Sequence, residues 1–317
     1  MSRDLLKKVK IACIYGLIFC ILSLMINQTT KLRLEKLQKQ FSMLSKGKEK
    51  VLREIFLAEI PESVYNSNAI ENSTLSLENT EKILLQNSVP KELNIREVYE
   101  AKNLAKVMEM LLGKKQKLSV DLILHLHKIL LRSIDDSIAG RFRRGKEWVR
   151  IGNHIGANPD FIHNLMSKLV NEYNKKNDIY FLDKIAHFHA EFETIHPFCD
   201  GNGRIGRAII NQQLMALDLP PIIVPNKGKK ADYYPLFDKY VSTFKYDGFT
   251  KNFALLLLES LHKRIAILTS KRIIPLNLWA KQHNISGNSA ANKAKRQTIP
   301  AFRIREKWMI SGDFHVK

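Results

Sequence analysis

The chain has 317 residues, 45% of them apolar, and carries 51 Lys and Arg against 31 Asp and Glu, a formal net charge of +20. The apolar share supports a real core and excludes wholesale disorder. The charge surplus points to an anionic partner such as nucleic acid, nucleotide phosphate, anionic lipid or an acidic protein face, while three cysteines, Cys13, Cys20 and Cys199, match neither a disulfide framework nor a zinc knuckle and suit a reducing compartment.

Residues 11–26, IACIYGLIFCILSLMI, are nearly all apolar and lie between the basic flanks MSRDLLKKVK and NQTTKLRLEKLQK. The run falls short of the roughly 20 residues of a typical membrane span. No small-x-small cleavage pattern follows it, and positive charge on both sides gives no orientation. An N-terminal membrane anchor and a helix packed on the rest of the chain, or on a partner chain, both fit. The site described below is expected to be cytoplasmic, with attachment to a membrane left open.

Residues 31–59 repeat apolar positions at three and four and read as helix interrupted at Gly47. Residues 61–84 mix turn formers with short helical pieces, and helices are predicted at 94–112 and 119–132. Within 133–159, Gly-containing turns flank the strand-like EWVRI, so a short hairpin is expected. Helices follow at 159–175, 181–195, 207–218, 232–245 and near 248–269. Composition shifts near residue 270: LNLWAKQH, NISG and NSAANKAKRQ have a helix–turn–helix rhythm, and TIPAFRIREKWMI reads as a hairpin wing. The expected fold class is mainly α, a helical body with one small β-hairpin, plus a small C-terminal winged helix–turn–helix-like domain. The expected divisions are 1–60, 61–265 and 270–317.

Residues 196–207, HPFCDGNGRIGR, gather one His, one Asp, one Asn, two Arg and three Gly directly after an apolar helical run. A neutral imidazole accepts a proton near neutral pH. A lone hard carboxylate suits Mg²⁺ shared with substrate phosphates, and it would equally cap the helix that begins here. Glycines admit close backbone approach, and amides at a helix start attract phosphate oxygens. Arg204 and Arg207, three apart, lie side by side on that helix and could clamp a polyphosphate or simply face solvent.

The stretch fills every required position of H-x-F-x-(D/E)-G-N-G-R-x-x-R and so resembles the signature of the Fic (filamentation induced by cAMP) family, with similarity extending over roughly residues 61–260. The resemblance implies a Fic-type helical bundle that transfers AMP from ATP, with Mg²⁺, to a Ser, Thr or Tyr hydroxyl of a target protein. Some members move other phosphate-containing groups, and some remove AMP. It implies His196 as general base and Asp200 as metal ligand. Gly201, Asn202 and Gly203 would form the anion hole, with Arg204 at the β-phosphate and Arg207 at the γ-phosphate. Gly203 favours nucleotidyl over phosphoryl transfer, because the related Doc kinases carry Lys there. Phe198 would anchor the loop in the core.

Downstream, residues 210–237 resemble the base side of the family's nucleotide pocket, with Asn211 near the ribose or base and Tyr234 against adenine beside Tyr233; core packing accounts for either tyrosine nearly as well. His187 and His189 fall outside the signature and read as structural. Upstream, SNAIEN (67–72) resembles the family's inhibitory motif (S/T)-x-x-x-E-(G/N), which implies that Glu71 pairs with Arg207 and withholds it from the γ-phosphate. The same carboxylate could orient water for de-AMPylation, a lesser consequence. KEWVRIGN (146–153) matches the flap, an edge that receives an extended target segment. The C-terminal stretch resembles the winged or excisionase-like helix–turn–helix modules attached to some members. Lys293, Lys295 and Arg296 would sit on or near its recognition helix, with Arg303 and Arg305 in the wing. Such modules bind DNA or serve as dimer and target-docking elements, so a homodimer stays open. The alternative to an autoinhibited enzyme is a DNA-binding regulator in which the Fic domain is ancillary.

Overall fold

The computed structural model describes residues 26–315 except 90, 91, 114, 153, 176 and 177. The first helix, α1 (Gln28–Ser45), is capped by Asn27, whose side chain accepts from the Thr30 amide at 2.8 Å. Gly47, at φ 72°, ends the first helical stretch. Helix α2 (Glu49–Ile70) then runs straight through Pro61, where the sequence suggests turns. Proline there removes one helical hydrogen bond, but Phe56, Ile60 and Val64 are buried along one face, and packing outweighs the local preference. The end of α2 therefore carries the SNAIEN stretch.

Helices α3 (Leu77–Leu85), α4 (Ile95–Leu111) and α5 (Val120–Leu131) start at the caps Ser76, Asn94 and Ser119. A minimal hairpin follows, β1 (Arg150–Ile151) against β2 (His154–Ile155), antiparallel with Arg150 opposite Ile155. Then come α6 (Ile162–Lys175), α7 (Phe181–Ile195), α8 (Asn202–Ala216), α9 (Tyr234–Thr243) and the long α10 (Asp247–Thr269). One apolar core joins α2, α4, α5, α6 and α7 through residues such as Leu104, Leu126, Met166 and Phe192. A second joins α1, α7, α8, α9 and α10 through Leu34, Ile185, Leu214, Tyr240 and Phe253. Helix α7 contributes to both cores, so the loop leaving its end hangs from the most constrained part of the bundle.

The chain ends with β3 (Ile273–Pro275), α11 (Leu276–Gln282), α12 (Gly287–Lys295), β4 (Ala301–Ile304) and β5 (Lys307–Ser311). The three strands form an antiparallel sheet in the order β3–β5–β4 over Trp279, Ala290, Ala294 and Ile310. Strand β3, three residues long, was too short to register as a period. The mainly α bundle with small β elements agrees with the expected fold class.

The N-terminal membrane anchor expected from residues 11–26 requires correction. Among the described residues no helix is long and apolar enough to cross a membrane. Residues 11–25 lie outside the described residues, and Ile26, the last residue of the run, is buried in the second core beside α1 and α10.

Candidate active site

Helix α7 ends where His196 adopts the left-handed conformation (φ 52°, ψ 63°) and its amide donates to the Phe192 carbonyl at 2.9 Å. Three residues lock the loop that follows. The Asn202 side chain both accepts from the Phe198 amide and donates to its carbonyl, each at 2.8 Å. Arg143 donates through Nε to the His196 carbonyl (2.8 Å), through Nη2 to Ala157 (2.9 Å) and through Nη1 to Glu147 (2.7 Å). His127 stacks on Phe198 with ring centroids 3.7 Å apart. Its Nδ1 accepts from the Gly140 amide (3.0 Å), which leaves Nε2–H to donate to the Asp200 carbonyl at 3.0 Å. Phe198 is fully buried, as its anchoring role requires. Gly201 then starts α8 at φ 82°, where a Cβ would come 2.8 Å from Leu130 Cδ2.

The His196 Nδ1 lies 3.3 Å from the Glu193 carbonyl. Donation there leaves the Nε2 lone pair free to take a proton. Burial pushes the His196 pKa down to about 4, so the ring is neutral at physiological pH. Arg207, buried, meets Glu71 Oε1 at 2.9 Å through Nη2, Ser67 Oγ at 3.0 Å through Nε, and the Ser67 carbonyl at 2.8 Å through Nη2. Both fixed polar positions of the SNAIEN stretch thus converge on one guanidinium. Gly203 makes room for this: a Cβ there would lie 2.1 Å from Glu71 Oε1 and 3.0 Å from Arg207 Nη1.

Asp200 uses both carboxylate oxygens. Oδ1 takes the Gly201 amide (2.6 Å) and Arg204 Nη2 (2.8 Å), and Oδ2 takes Arg96 Nη2 (2.6 Å). Arg204 also reaches Glu100 Oε1 at 3.2 Å. Among the described residues no group of three or more His, Cys, Asp or Glu side chains is placed to hold a metal. A single carboxylate completed by phosphates and water is how Mg²⁺ is commonly held. Asp200 is one-third exposed and its Arg96 partner half exposed, so Oδ2 fits such an ion once Arg96 turns away.

Other expected nucleotide contacts are occupied within the protein. Both polar atoms of the Asn202 side chain serve the Phe198 backbone. The Asn211 side chain brackets Ile222, accepting from its amide (2.8 Å) and donating to its carbonyl (3.1 Å). Tyr234 donates to the Ile70 carbonyl at 2.5 Å, beside Lys229 Nζ on the Ala69 and Ile70 carbonyls. These three residues act here as clamps on the loop, on the segment that follows α8 and on the end of α2. Tyr233 is buried, with its hydroxyl 2.7 Å from His189 Nε2. The wing arginines also depart from the sequence reading. Glu259 holds Arg303 through Nε at 2.8 Å and Nη2 at 2.7 Å, and Glu81 holds Arg305 at 2.5 Å. Carboxylates of the helical body engage both; Arg303 is partly buried, while Arg305 stays exposed, as do Lys295 and Arg296.

The sequence reading did not single out His127, Arg143, Glu193 or Lys229. Only Glu193 carried a signal, lying three residues before His196 and so on the same helical face. It is buried, and its Oε1 lacks a hydrogen-bond partner among the described residues. Burial raises its carboxyl pKa to about 8. A Cβ on Gly206 would lie 2.2 Å from that Oε1. Gly206→Ala is expected to destabilise the protein by about 1–3 kcal/mol, because the site is overpacked at a helix–helix contact. A thermal melt lowered by several degrees would bear this out; an unchanged melt would contradict it.

The flap carries exposed Trp148 and Ile155 and is tied to the site by the Ala157 amide on the Ile195 carbonyl (3.1 Å) and by His154 Nε2 near the Thr194 carbonyl (3.2 Å). Buried histidines give the whole region an acid sensitivity. Burial pushes the pKa of His127, His196 and His262 down to about 4 and that of His189 to about 3. From pH 6.5 down to 4 the unfolded chain binds protons that the folded chain refuses. Stability therefore falls as pH falls, by about 1.4 kcal/mol per pH unit for each histidine. Glu193, between its ordinary value and about 8, and Asp183, whose carboxyl burial also raises, act in the opposite sense, two groups against four. The urea midpoint is expected to drop steadily below pH 6.5; a flat midpoint down to pH 4 would refute this account.

Residues 117–214 match the family model described as Fic/DOC family. The chain is 32% identical over 178 residues to the protein adenylyltransferase fic-1 of Caenorhabditis elegans, covering 54% of this chain and 34% of that protein. It is 32% identical over 176 residues to the protein adenylyltransferase Fic of Drosophila mojavensis, again covering 54% and 34%. The chain thus spans about a third of the length of the curated relatives it matches. Among solved structures, Fic-1 (residues 134–508) from Caenorhabditis elegans superposes with a TM-score of 0.66 at 26% identity, covering 76% of this chain and 72% of that one. A Fic family protein from Desulfovibrio desulfuricans G20 shares the fold with a TM-score of 0.64 at 20% identity, covering 92% and 98%.

Proposed function

Because residues 117–214 match the Fic/DOC family model, we propose that the chain is a protein adenylyltransferase held in an autoinhibited state. The observation that carries this reading is the grip of Ser67 and Glu71 on Arg207, within the loop and helix that also carry His196 and Asp200. The relatives named as protein adenylyltransferases support the activity.

In the proposed reaction a Ser, Thr or Tyr hydroxyl of a target protein lies along the flap near His196. The Nε2 lone pair takes the hydroxyl proton as the oxygen attacks the α-phosphorus of ATP. The new O–P bond forms as the bond to the bridging oxygen breaks, and pyrophosphate leaves. Backbone amides at Asn202 and Gly203, where α8 begins, face the transferred phosphate, joined by that of Gly201 once Asp200 turns to a bound ion. Arg204 and Arg207 take the charge of the leaving group. Mg²⁺ at Asp200 would neutralise phosphate charge when bound. With Glu71 on Arg207, the γ-phosphate loses its partner and ATP lies in a pose unsuited to in-line attack. The same Glu71 could position water to release AMP from a modified target, the lesser activity. Residues 61–265 serve in this reading as the catalytic body and 67–72 as its inhibitor. The same reading takes 270–317 as a winged helix–turn–helix-like unit.

Mass spectrometry of candidate proteins incubated with the Glu71→Gly variant, Mg²⁺ and a panel of nucleotides tests this directly. The expected product is a hydroxyl side chain heavier by one AMP, formed with ATP. A gain of phosphate alone, or no product with any nucleotide, would overturn the reading. A DNA-binding role has in its favour the exposed Lys295 and Arg296 at the end of α12, with Lys293 beside them, and against it the engagement of Arg303 and Arg305. A DNA mobility shift that weakens steeply with salt would support it.

A further inference from the structure

Taking the autoinhibited reading as given, we propose that the β4–β5 turn is a latch on the inhibitory end of α2, so that the C-terminal unit controls how firmly Glu71 holds Arg207. Pro61 leaves the Leu57 carbonyl without its helical donor, making a point at which α2 can bend. Glu62 is the first residue beyond that point and lies on the half that carries Ser67 and Glu71. Its buried carboxylate accepts two backbone amides of the hairpin turn, Arg305 on Oε2 at 3.1 Å and Glu306 on Oε1 at 3.0 Å.

Those two residues form the entire loop of the hairpin, since Ile304 pairs with Lys307. Both are left-handed, at φ 48° and 65°, and neither is Gly or Asn, the residues this turn favours. The Glu62 carboxylate satisfies both amides of a turn that is unfavourable by itself. If the turn moves away, a buried carboxylate is left with Lys263 Nζ, at 4.0 Å, as its one ion-pair partner among the described residues. Turn and helix are therefore each other's support.

A second route joins the same parts. Glu306 pairs with Lys227 at 3.2 Å. The neighbouring Asn226 amide donates to Asn66 Oδ1 at 2.9 Å, and Lys229 caps the α2 end at the Ala69 and Ile70 carbonyls. From the turn to the inhibitory residues the path thus runs both along α2 and across 226–229. At about 1.5 Å rise per residue, Ser67 lies about 7.5 Å along the helix from Glu62. Any partner that displaces the hairpin is felt at Arg207, and by linkage release of Glu71 loosens the hairpin.

The test compares the full chain with Glu62→Ala by peptide-resolved hydrogen–deuterium exchange and by initial rates of AMP incorporation, with Glu71→Gly as control. Exchange in residues 63–72 and 301–311 is expected to quicken about tenfold or more, with 181–216 unchanged. AMP incorporation is expected to rise about threefold or more, toward the Glu71→Gly rate. Unchanged exchange at 63–72 in a folded variant overturns the latch. Quickened exchange with incorporation still at the wild-type rate, while Glu71→Gly raises it, overturns the coupling. If Glu71→Gly itself gives no gain, the autoinhibited reading fails and the exchange result alone decides the latch. Should Glu62→Ala not fold, Glu62→Gln, which keeps one acceptor, is read in the same peptides with a smaller change expected.

Discussion

Alanine at His196 is expected to lower AMP transfer by about 10²- to 10⁴-fold, measured in the Glu71→Gly background so that a rate is available to lose. The magnitude is that of a positioned general base. The imidazole is neutral, its Nδ1 engaged by the Glu193 carbonyl, and no other described side chain of the loop offers a free nitrogen lone pair in its place. The loss is expected in the chemical step alone. Arg143, His127 and Asn202 hold the loop through the His196 carbonyl and the backbone of residues 198 and 200, which alanine retains. Nucleotide affinity, followed by titration calorimetry, should stay within about threefold of the parent. A variant that kept a tenth or more of the rate would remove His196 from the role of base.

The second large effect runs the other way. Glu71→Gly is expected to raise AMP transfer about tenfold over the wild-type chain. A charge-assisted hydrogen bond to a buried guanidinium is worth about 1.5–3 kcal/mol, or about one to two powers of ten. The Glu71 side chain is 41% exposed, so water screens it and the low end applies. Ser67 continues to hold Arg207 through its hydroxyl and carbonyl, which limits the gain further. Adding Ser67→Ala removes the hydroxyl contact and should raise the rate again. Incorporation from radiolabelled ATP measures both variants, and equal rates for wild type and Glu71→Gly would exclude inhibition by this carboxylate.

Much of the site was legible because its parts are consecutive. A base, a carboxylate, a glycine turn and two arginines within twelve residues constrain one another by spacing alone, and the structure places His196, Asp200, Arg204 and Arg207 around one loop. The Glu71–Arg207 contact was legible only through the likeness of SNAIEN to a family motif, since nothing local links residues so far apart. What escaped was set by distant partners. Pro61 reads as a break until the buried faces of Ile60 and Val64 are seen beside it. Arg143 sits in RFRRG among other arginines, and only the fold aims it at four carbonyls. The hold of Glu259 and Glu81 on Arg303 and Arg305 could not be read because those carboxylates lie far off in the chain. Asn202 and Asn211 have side chains suited to a ligand, and the backbone of Phe198 and Ile222 claims them first.

The left-handed backbone at His196 has a consequence for how this protein could be improved. One residue must both end a helix, a task glycine performs with less strain, and present an imidazole, which glycine lacks. At that position thermal resistance and turnover pull toward different amino acids. A library of variants screened for survival on heating alone would be drawn to glycine at 196, and its most robust members would have lost the proton acceptor of the proposed reaction.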